Sequence, residues 1–156
     1  MRWGPAVAVV VAGMIAFAAC APATPGTTPT GREADMDKAA VTAAIEELPG
    51  VVSADMSAYN TGTPGSYALR VGVTVDERGR DDLGRVVDGA VRAVADDPGD
   101  YESVDLEVTA PDEAEPDDLI VLTLARYRDR IPFDEGEYLG STLTLTAAEV
   151  AAIAAR

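Results

Sequence analysis

The side chains that could do chemistry concentrate in an acidic segment that is followed closely by a basic one. Five carboxylates crowd residues 111–118, and Ca²⁺ takes six to eight hard oxygen ligands of this kind. The spacing fits no EF-hand loop, however, and the segment lacks the glycine that a tight ligand loop needs. A solvated loop that adds charge and shields strand edges is the favoured alternative, so we expect no metal site. The five acids are Asp112, Glu113, Glu115, Asp117 and Asp118.

The basic segment holds three arginines two residues apart, Arg126, Arg128 and Arg130, with Tyr127 between the first two. On a β-strand this spacing aims all three guanidinium groups to one side, where they could clamp a carboxylate or another anion. The alternative is that they balance the many acids of the chain and cover apolar surface with their stems. The second interpretation is favoured.

The composition removes most catalytic chemistry. The chain has no His, and Lys38 is its single Lys. A nucleophile needs a base beside it, and the Gly-x-Ser-x-Gly and phosphate-binding Gly motifs are absent. Zinc would lack its two commonest ligand types, because Cys20 is the single Cys. We therefore expect no catalytic residues, no cofactor and no enzymatic activity.

The net charge argues against nucleic acids and anionic lipid surfaces as partners. The chain carries 27 acidic and 12 basic residues, a formal net charge of −15. Nucleic acid binding needs a basic face, and anionic lipid headgroups repel an acidic domain. The charge favours solubility and a domain held away from the membrane surface.

The amino terminus has the pattern of a secretion signal. Arg2 precedes an uncharged, mostly apolar stretch from residue 4 to 19 that ends in small residues. This stretch is at the lower limit of what spans a bilayer, since a spanning helix needs about 20 residues.

The end of this stretch, Phe17-Ala18-Ala19-Cys20, resembles the lipobox of bacterial lipoproteins, in which Leu is more usual than Phe at the first position. The resemblance implies cleavage between Ala19 and Cys20 after residues 1–19. It also implies that the Cys20 thiol carries the lipid, with two or three acyl chains such as palmitate, enough for stable anchoring on the outer face of the cell membrane. An ordinary signal peptide or an uncleaved anchor is the competing interpretation.

A tether follows the lipidated cysteine. Residues 20–34 are rich in Pro, Thr, Gly and Ala and show no apolar periodicity. Such a segment cannot bury enough apolar surface to offset its ordering entropy, and proline keeps it extended. It is expected to lift a single domain, residues 35–156, off the bilayer.

The first half of that domain predicts a helix, a hairpin and a second helix. Apolar residues at helical spacing indicate a helix over 36–48, ended by Pro49-Gly50. Alternating patterns predict strands over 51–59, with Val52, Ala54, Met56 and Ala58 on one face, and over 66–75. A continuous apolar stripe predicts a helix over 79–95.

The second half predicts further strands and a terminal helix. Residues 102–109 alternate, which predicts a strand. Residues 118–127 begin with apolar residues on both faces, which predicts a strand that is either central or covered on both sides. Another short strand is expected over 138–145. Thr146 and Glu149 fit a capping box at the start of a helix over 147–155.

This order predicts an α+β two-layer sandwich: a mostly antiparallel sheet of four to five strands, two amphipathic helices on one face and a short C-terminal helix. The turn Leu48-Pro49-Gly50-Val51 and the element order resemble small ferredoxin-like modules of the heavy-metal-associated and BON types. The chain lacks the Cys-x-x-Cys pair of the former and the Gly-bracketed strand of the latter, so the resemblance implies an architecture and no function.

The sequence thus predicts a lipid-anchored, extracytoplasmic and non-enzymatic domain that binds another protein or a cell-wall component at the envelope. The alternatives are an accessory lipoprotein that binds a small ligand or a divalent cation, and a cell-wall hydrolase.

Overall fold

A computed structural model describes residues 36–156 of the chain. The predicted signal peptide, the cleavage site at Ala19 and Cys20, the lipidation of Cys20 and the tether lie outside the described residues.

The described chain forms one mixed sheet with helices packed on it. In chain order the elements are α1 (Lys38–Glu46), β1 (Val51–Asn60), β2 (Tyr67–Val75), α2 (Glu77–Asp81), α3 (Leu83–Asp96), β3 (Ser103–Pro111), β4 (Leu119–Val121), the 3₁₀ helix η1 (Leu124–Arg130), β5 (Glu137–Leu139), β6 (Thr142–Thr146) and α4 (Ala147–Ala154).

The sheet has the order β1-β2-β3-β6-β5, and β4 pairs with β3 beside β6. Four of the five pairings are antiparallel. The central pair, β2 and β3, is parallel because α2 and α3 return the chain to the other end of the sheet. The predicted α+β sandwich is confirmed, with six strands instead of four to five and this one parallel pair.

The two faces of the sheet differ sharply. Alternate strand residues pack with α1, α3 and α4 into one apolar core that includes Leu69, Val71, Leu106, Val108, Leu143 and Leu145. The residues between them point to the opposite face, which we call the helix-free face. It is formed by Ser57, Tyr59, Arg70, Gly72, Thr74, Asp105, Glu107, Thr109, Thr142 and Thr144.

The predicted strand over 118–127 is wrong in length and position. Strand β6 occupies the edge of β3 along residues 103–107, which leaves only residues 109–111 for β4. The chain therefore leaves the sheet after Val121 and turns into η1, which buries Leu124 in the core. Strand β4 is not central, and its three side chains are exposed.

Three smaller boundaries also differ. The helix predicted over 79–95 is two helices, α2 and α3, that meet at Asp82. The strand predicted over 138–145 is the hairpin β5–β6, which turns at Gly140 with a φ of 66°. Val52 is exposed rather than inward, because the β1–β2 register shifts between Val51 and Ser53.

The capping box before α4 is confirmed. Thr146 accepts a hydrogen bond from the backbone N–H of Glu149, whose carboxylate accepts one from the backbone N–H of Thr146.

Candidate interaction surface

The five acids of the segment 112–118 do not converge on a common point. Asp112 accepts a hydrogen bond from the backbone N–H of Ala114 at 2.8 Å, which shapes the turn, and Glu113 pairs with Arg80. Glu115, Asp117 and Asp118 are exposed. Within residues 36–156, no group of three or more acidic, His or Cys side chains is placed to hold a metal ion together. We call residues 112–118 the acidic loop.

The three arginines do not form the clamp that a strand would build. They lie in or at the end of η1, where a period of about three residues sends side chains two apart in different directions. The Arg128 guanidinium lies 5.6 Å from the Tyr138 ring centre and that of Arg130 lies 5.5 Å from Tyr127. Arg130 also donates to the backbone carbonyl of Arg80 at 3.1 Å. Arg126 is exposed.

A hydrogen-bonded network crosses the helix-free face. Tyr59 on β1 donates to Asp105 Oδ2 on β3, and Thr144 on β6 donates to Asp105 Oδ1 at 2.7 Å. Asp105 is only 8% exposed. Beside it, Thr142 donates to Glu107 Oε1 at 2.8 Å, and the Arg70 guanidinium lies 5.3 Å from the Tyr59 ring centre.

Tyr59 keeps its proton within this network. The hydrogen bond to Asp105, followed by burial, raises the pKa of Tyr59, so the hydroxyl stays protonated near neutral pH. Both Asp105 oxygens already accept a hydrogen bond. Through these hydrogen bonds Asp105 connects strands β1, β3 and β6 on the helix-free face.

The most exposed apolar strand of the described residues is β4, which pairs with β3 beyond Glu107. The side chains of Leu119, Ile120 and Val121 on β4 are 59%, 38% and 52% exposed. Register places Leu119 and Val121 on the helix-free face, beside Pro111 and Thr109, and Ile120 on the helix side. Both faces of β4 therefore carry partly exposed apolar side chains.

Among residues 36–156, no backbone group pairs with the outer edge of β4. Asp118 accepts a hydrogen bond from the N–H of Asp112, and Leu122 donates one to Val108, both on the β3 side. Because amide direction alternates along a strand, the N–H and C=O groups of Leu119 and Val121 point away from β3. Such an edge is a template for another strand.

The space beside this edge is closed at one end. A strand added to β4 would lie in line with β5, which pairs with β6 in the next position outward. Leu139, at the end of β5, is 59% exposed. It is level with Glu107 of β3, through the pairings of Leu139 with Thr142 and of Thr142 with Glu107, whereas Val121 is level with Thr109, two residues further along β3 on the same helix-free face. We call this space, bounded by β4, Leu139 and the turn at Gly140, the β4 notch. Its open end lies toward the acidic loop.

Comparison of the chain with protein-family models, curated proteins and solved structures found no match. Within residues 36–156, no helix has the length and apolar character to cross a membrane. The function must therefore be argued from the site itself.

The apolar residues of β4 predict a buried strand, whereas the structure leaves their side chains partly exposed. The acidic residues directly before them, Asp117 and Asp118, were the available signal for an exposed edge, because charges beside short strands protect sheet edges from aggregation.

Proposed function

We propose that this protein is a lipid-anchored, non-enzymatic binding domain on the outer face of the cell membrane, and that it takes up an extended segment of a partner protein at the β4 notch. The observation that carries the proposal is the uncovered apolar strand β4, with exposed side chains on both faces and a free backbone edge.

Strand addition fits the chemistry of this edge. In this mode the backbone hydrogen bonds supply affinity and alternate side chains supply specificity. Fully burying a Leu or Val side chain contributes about 1.5–3 kcal/mol, and Leu119 and Val121 have about half of that burial still to gain. A three-residue edge is also short enough to resist uncontrolled sheet-to-sheet aggregation.

The proposal of a lipid anchor is supported by the sequence of the first 34 residues. An apolar stretch that ends in small residues and a single Cys, followed by a Pro/Thr-rich segment, fits a lipoprotein that carries its domain away from the bilayer.

The anchor is tested by Cys20→Ala in the producing cell, with Thr27→Ala as the control in the tether. Cys20→Ala should lose metabolic labelling by a fatty acid and leave the membrane fraction, whereas Thr27→Ala should keep both. A labelled, membrane-bound Cys20→Ala protein would refute lipidation at this residue.

The binding surface is tested by site-specific photo-crosslinking from position 119 in the intact envelope. The chain offers a matched pair of variants: Val121→Lys on β4, and Val52→Lys on β1, which is the other end of the sheet order and carries a valine that is 64% exposed. The adduct formed by the otherwise unmodified chain should disappear in Val121→Lys and persist in Val52→Lys. Equal behaviour of the two variants would overturn the assignment to β4.

A further inference from the structure

From the charge and register around β4, we infer that the occupant of the β4 notch is an extended segment with two apolar side chains at positions i and i+2 and with Lys or Arg side chains at its acidic-loop end. This inference rests on the proposed function and adds the chemistry of the partner.

The apolar spacing follows from the register. Leu119 and Val121 share the helix-free face, and side chains directly opposite each other on neighbouring strands make the closest contacts. Two apolar residues of the added strand with one residue between them would therefore pack on Leu119 and Val121. The residue nearest the closed end would also contact Leu139, which adds apolar surface there.

The charge preference follows from the open end. The occupant must enter from the side of the acidic loop, because Leu139 and the turn at Gly140 close the opposite end. Glu113 is already paired with Arg80, but Glu115, Asp117 and Asp118 are exposed beside the entrance. Cationic side chains that extend from the notch would meet these carboxylates, and the attraction would also speed association in a salt-dependent way.

A second copy of this chain fits the notch less well. Antiparallel pairing centred on Ile120 would place Asp118 of the second copy opposite Leu122, at the level where the Gly140 turn closes the notch. Antiparallel pairing of the two β4 strands centred on Leu119 would avoid the turn, but it would bring the two acidic loops together. Those loops would repel each other, because each copy already carries a net charge of −15. Self-pairing therefore meets either a steric or an electrostatic barrier.

The test uses a displayed library of randomised ten-residue peptides, selected on the immobilised full-length chain in detergent at low salt. The enriched peptides should carry an apolar-x-apolar core with Lys or Arg on one side of it. As synthetic peptides they should lose most of their affinity for Val121→Lys and keep it for Val52→Lys.

The acidic loop is tested with the same peptides and a charge-matched pair of triple variants. Glu115→Gln/Asp117→Asn/Asp118→Asn should weaken binding about tenfold, from three exposed ion pairs of modest strength. The control Glu47→Gln/Asp55→Asn/Asp96→Asn removes three exposed charges at the end of α1, on β1 and at the end of α3, and should change binding little.

The outcomes separate the two proposals. Peptides without basic residues that still depend on Val121, or equal effects of the two triple variants, would overturn the inference and leave the proposed function intact. Peptides that bind Val121→Lys as well as the original chain would overturn both. A chain that yields no peptides and instead doubles its mass through β4 would identify the occupant as a second copy and overturn the inference.

Discussion

The Tyr59 hydroxyl reaches across the whole width of strand β2 to donate a hydrogen bond to Asp105 on β3. The register partner of Tyr59 on β2 is Ala68, whereas that of Asp105 is Arg70, so the hydrogen bond runs diagonally over β2. Thr144 donates to the other oxygen of Asp105 from β6. One carboxylate thus ties together three strands of the helix-free face and stiffens the sheet whose edge carries β4.

We expect Tyr59→Phe to destabilise the protein at neutral pH by about 1 kcal/mol, because it leaves Asp105 with one hydrogen bond fewer. The hydrogen bond to Asp105 raises the pKa of Tyr59 above its usual value of 10.0. The stabilisation should therefore be complete below pH 10 and decline as the pH rises through the folded-state pKa.

The measurement is urea unfolding of the unmodified chain and of Tyr59→Phe at pH 7 and above pH 10.5, with Tyr67→Phe as the control phenol. The difference between the chain and Tyr59→Phe should shrink at high pH. A difference that stays constant across this range would show that the stabilisation does not depend on the proton that Tyr59 donates to Asp105.

Much of the layout could be predicted from local patterns. The faces of β2 and β3, the stripe of α3 and the capping box of α4 all follow from periodicity and cap chemistry, and the structure confirms them. These signals suffice because each depends on residues close together in the sequence.

The candidate surface could not be predicted in the same way, because it depends on competition for one edge. Residues 119–124 are apolar except for Thr123, and nothing in the sequence separates them into two groups. Strand β6 takes most of the free edge of β3, which leaves β4 exposed and Leu122 and Leu124 buried. The same competition moves Arg126 and Arg128 from a strand into η1 and removes the clamp that their spacing suggested.

Another long-range constraint is the contact between α3 and the last residue of η1, Arg130. A Cβ added to Gly84 would lie 1.9 Å from the backbone carbonyl oxygen of Arg130, whereas one added to Gly89 would meet only the end of the Leu48 side chain at 2.8 Å. Both glycines lie in α3, where alanine has the higher intrinsic helix propensity by about 1 kcal/mol.

We therefore expect Gly84→Ala to destabilise the protein by about 2 kcal/mol, because a backbone segment must move to admit the methyl group. Gly89→Ala should change the free energy of unfolding by less than about 1 kcal/mol in either direction, since the flexible Leu48 side chain can move and the helix propensity improves. Thermal unfolding of the two variants side by side makes the comparison, and a Gly84→Ala protein as stable as Gly89→Ala would contradict the contact.

The capping box predicts that part of the protein's stability is lost in acid. Glu149 Oε2 accepts hydrogen bonds from the backbone N–H and the hydroxyl of Thr146, both at 2.8 Å, and these bonds lower the pKa of Glu149 below its usual value of 4.5. A lowered folded-state pKa gives stability that is present above pH 4.5 and is lost as the pH falls through the folded-state value.

Thr146→Ala should lower the free energy of unfolding by about 1 kcal/mol at pH 7, and Thr146→Ser should keep most of it. Glu149→Gln should destabilise at pH 7, and its deficit should shrink as the pH falls below 4.5 and through the lowered folded-state pKa of Glu149. Denaturant unfolding at pH 7 and pH 3.5 measures both effects, and an equal deficit of Glu149→Gln at the two pH values would show that its ionised form is not what stabilises the helix.

The division of residues 119–124 by the competing strand β6 predicts a sharp contrast between two neighbouring positions. Leu122 is 2% exposed and lies in the core, whereas Val121 is half-exposed on β4. Leu122→Ala should destabilise the protein by about 2–5 kcal/mol, because it removes a buried side chain and leaves a cavity. Val121→Ala should change the free energy of unfolding by about 0.5 kcal/mol or less, as expected for an exposed position.

A strand buried on both faces would make the two substitutions similarly costly. Comparable losses in a denaturant titration would therefore show that Val121 is buried and would remove the basis of the β4 notch. The expected contrast would instead leave Val121 with little role in folding, which is the condition for assigning a binding defect of Val121→Lys to the surface itself.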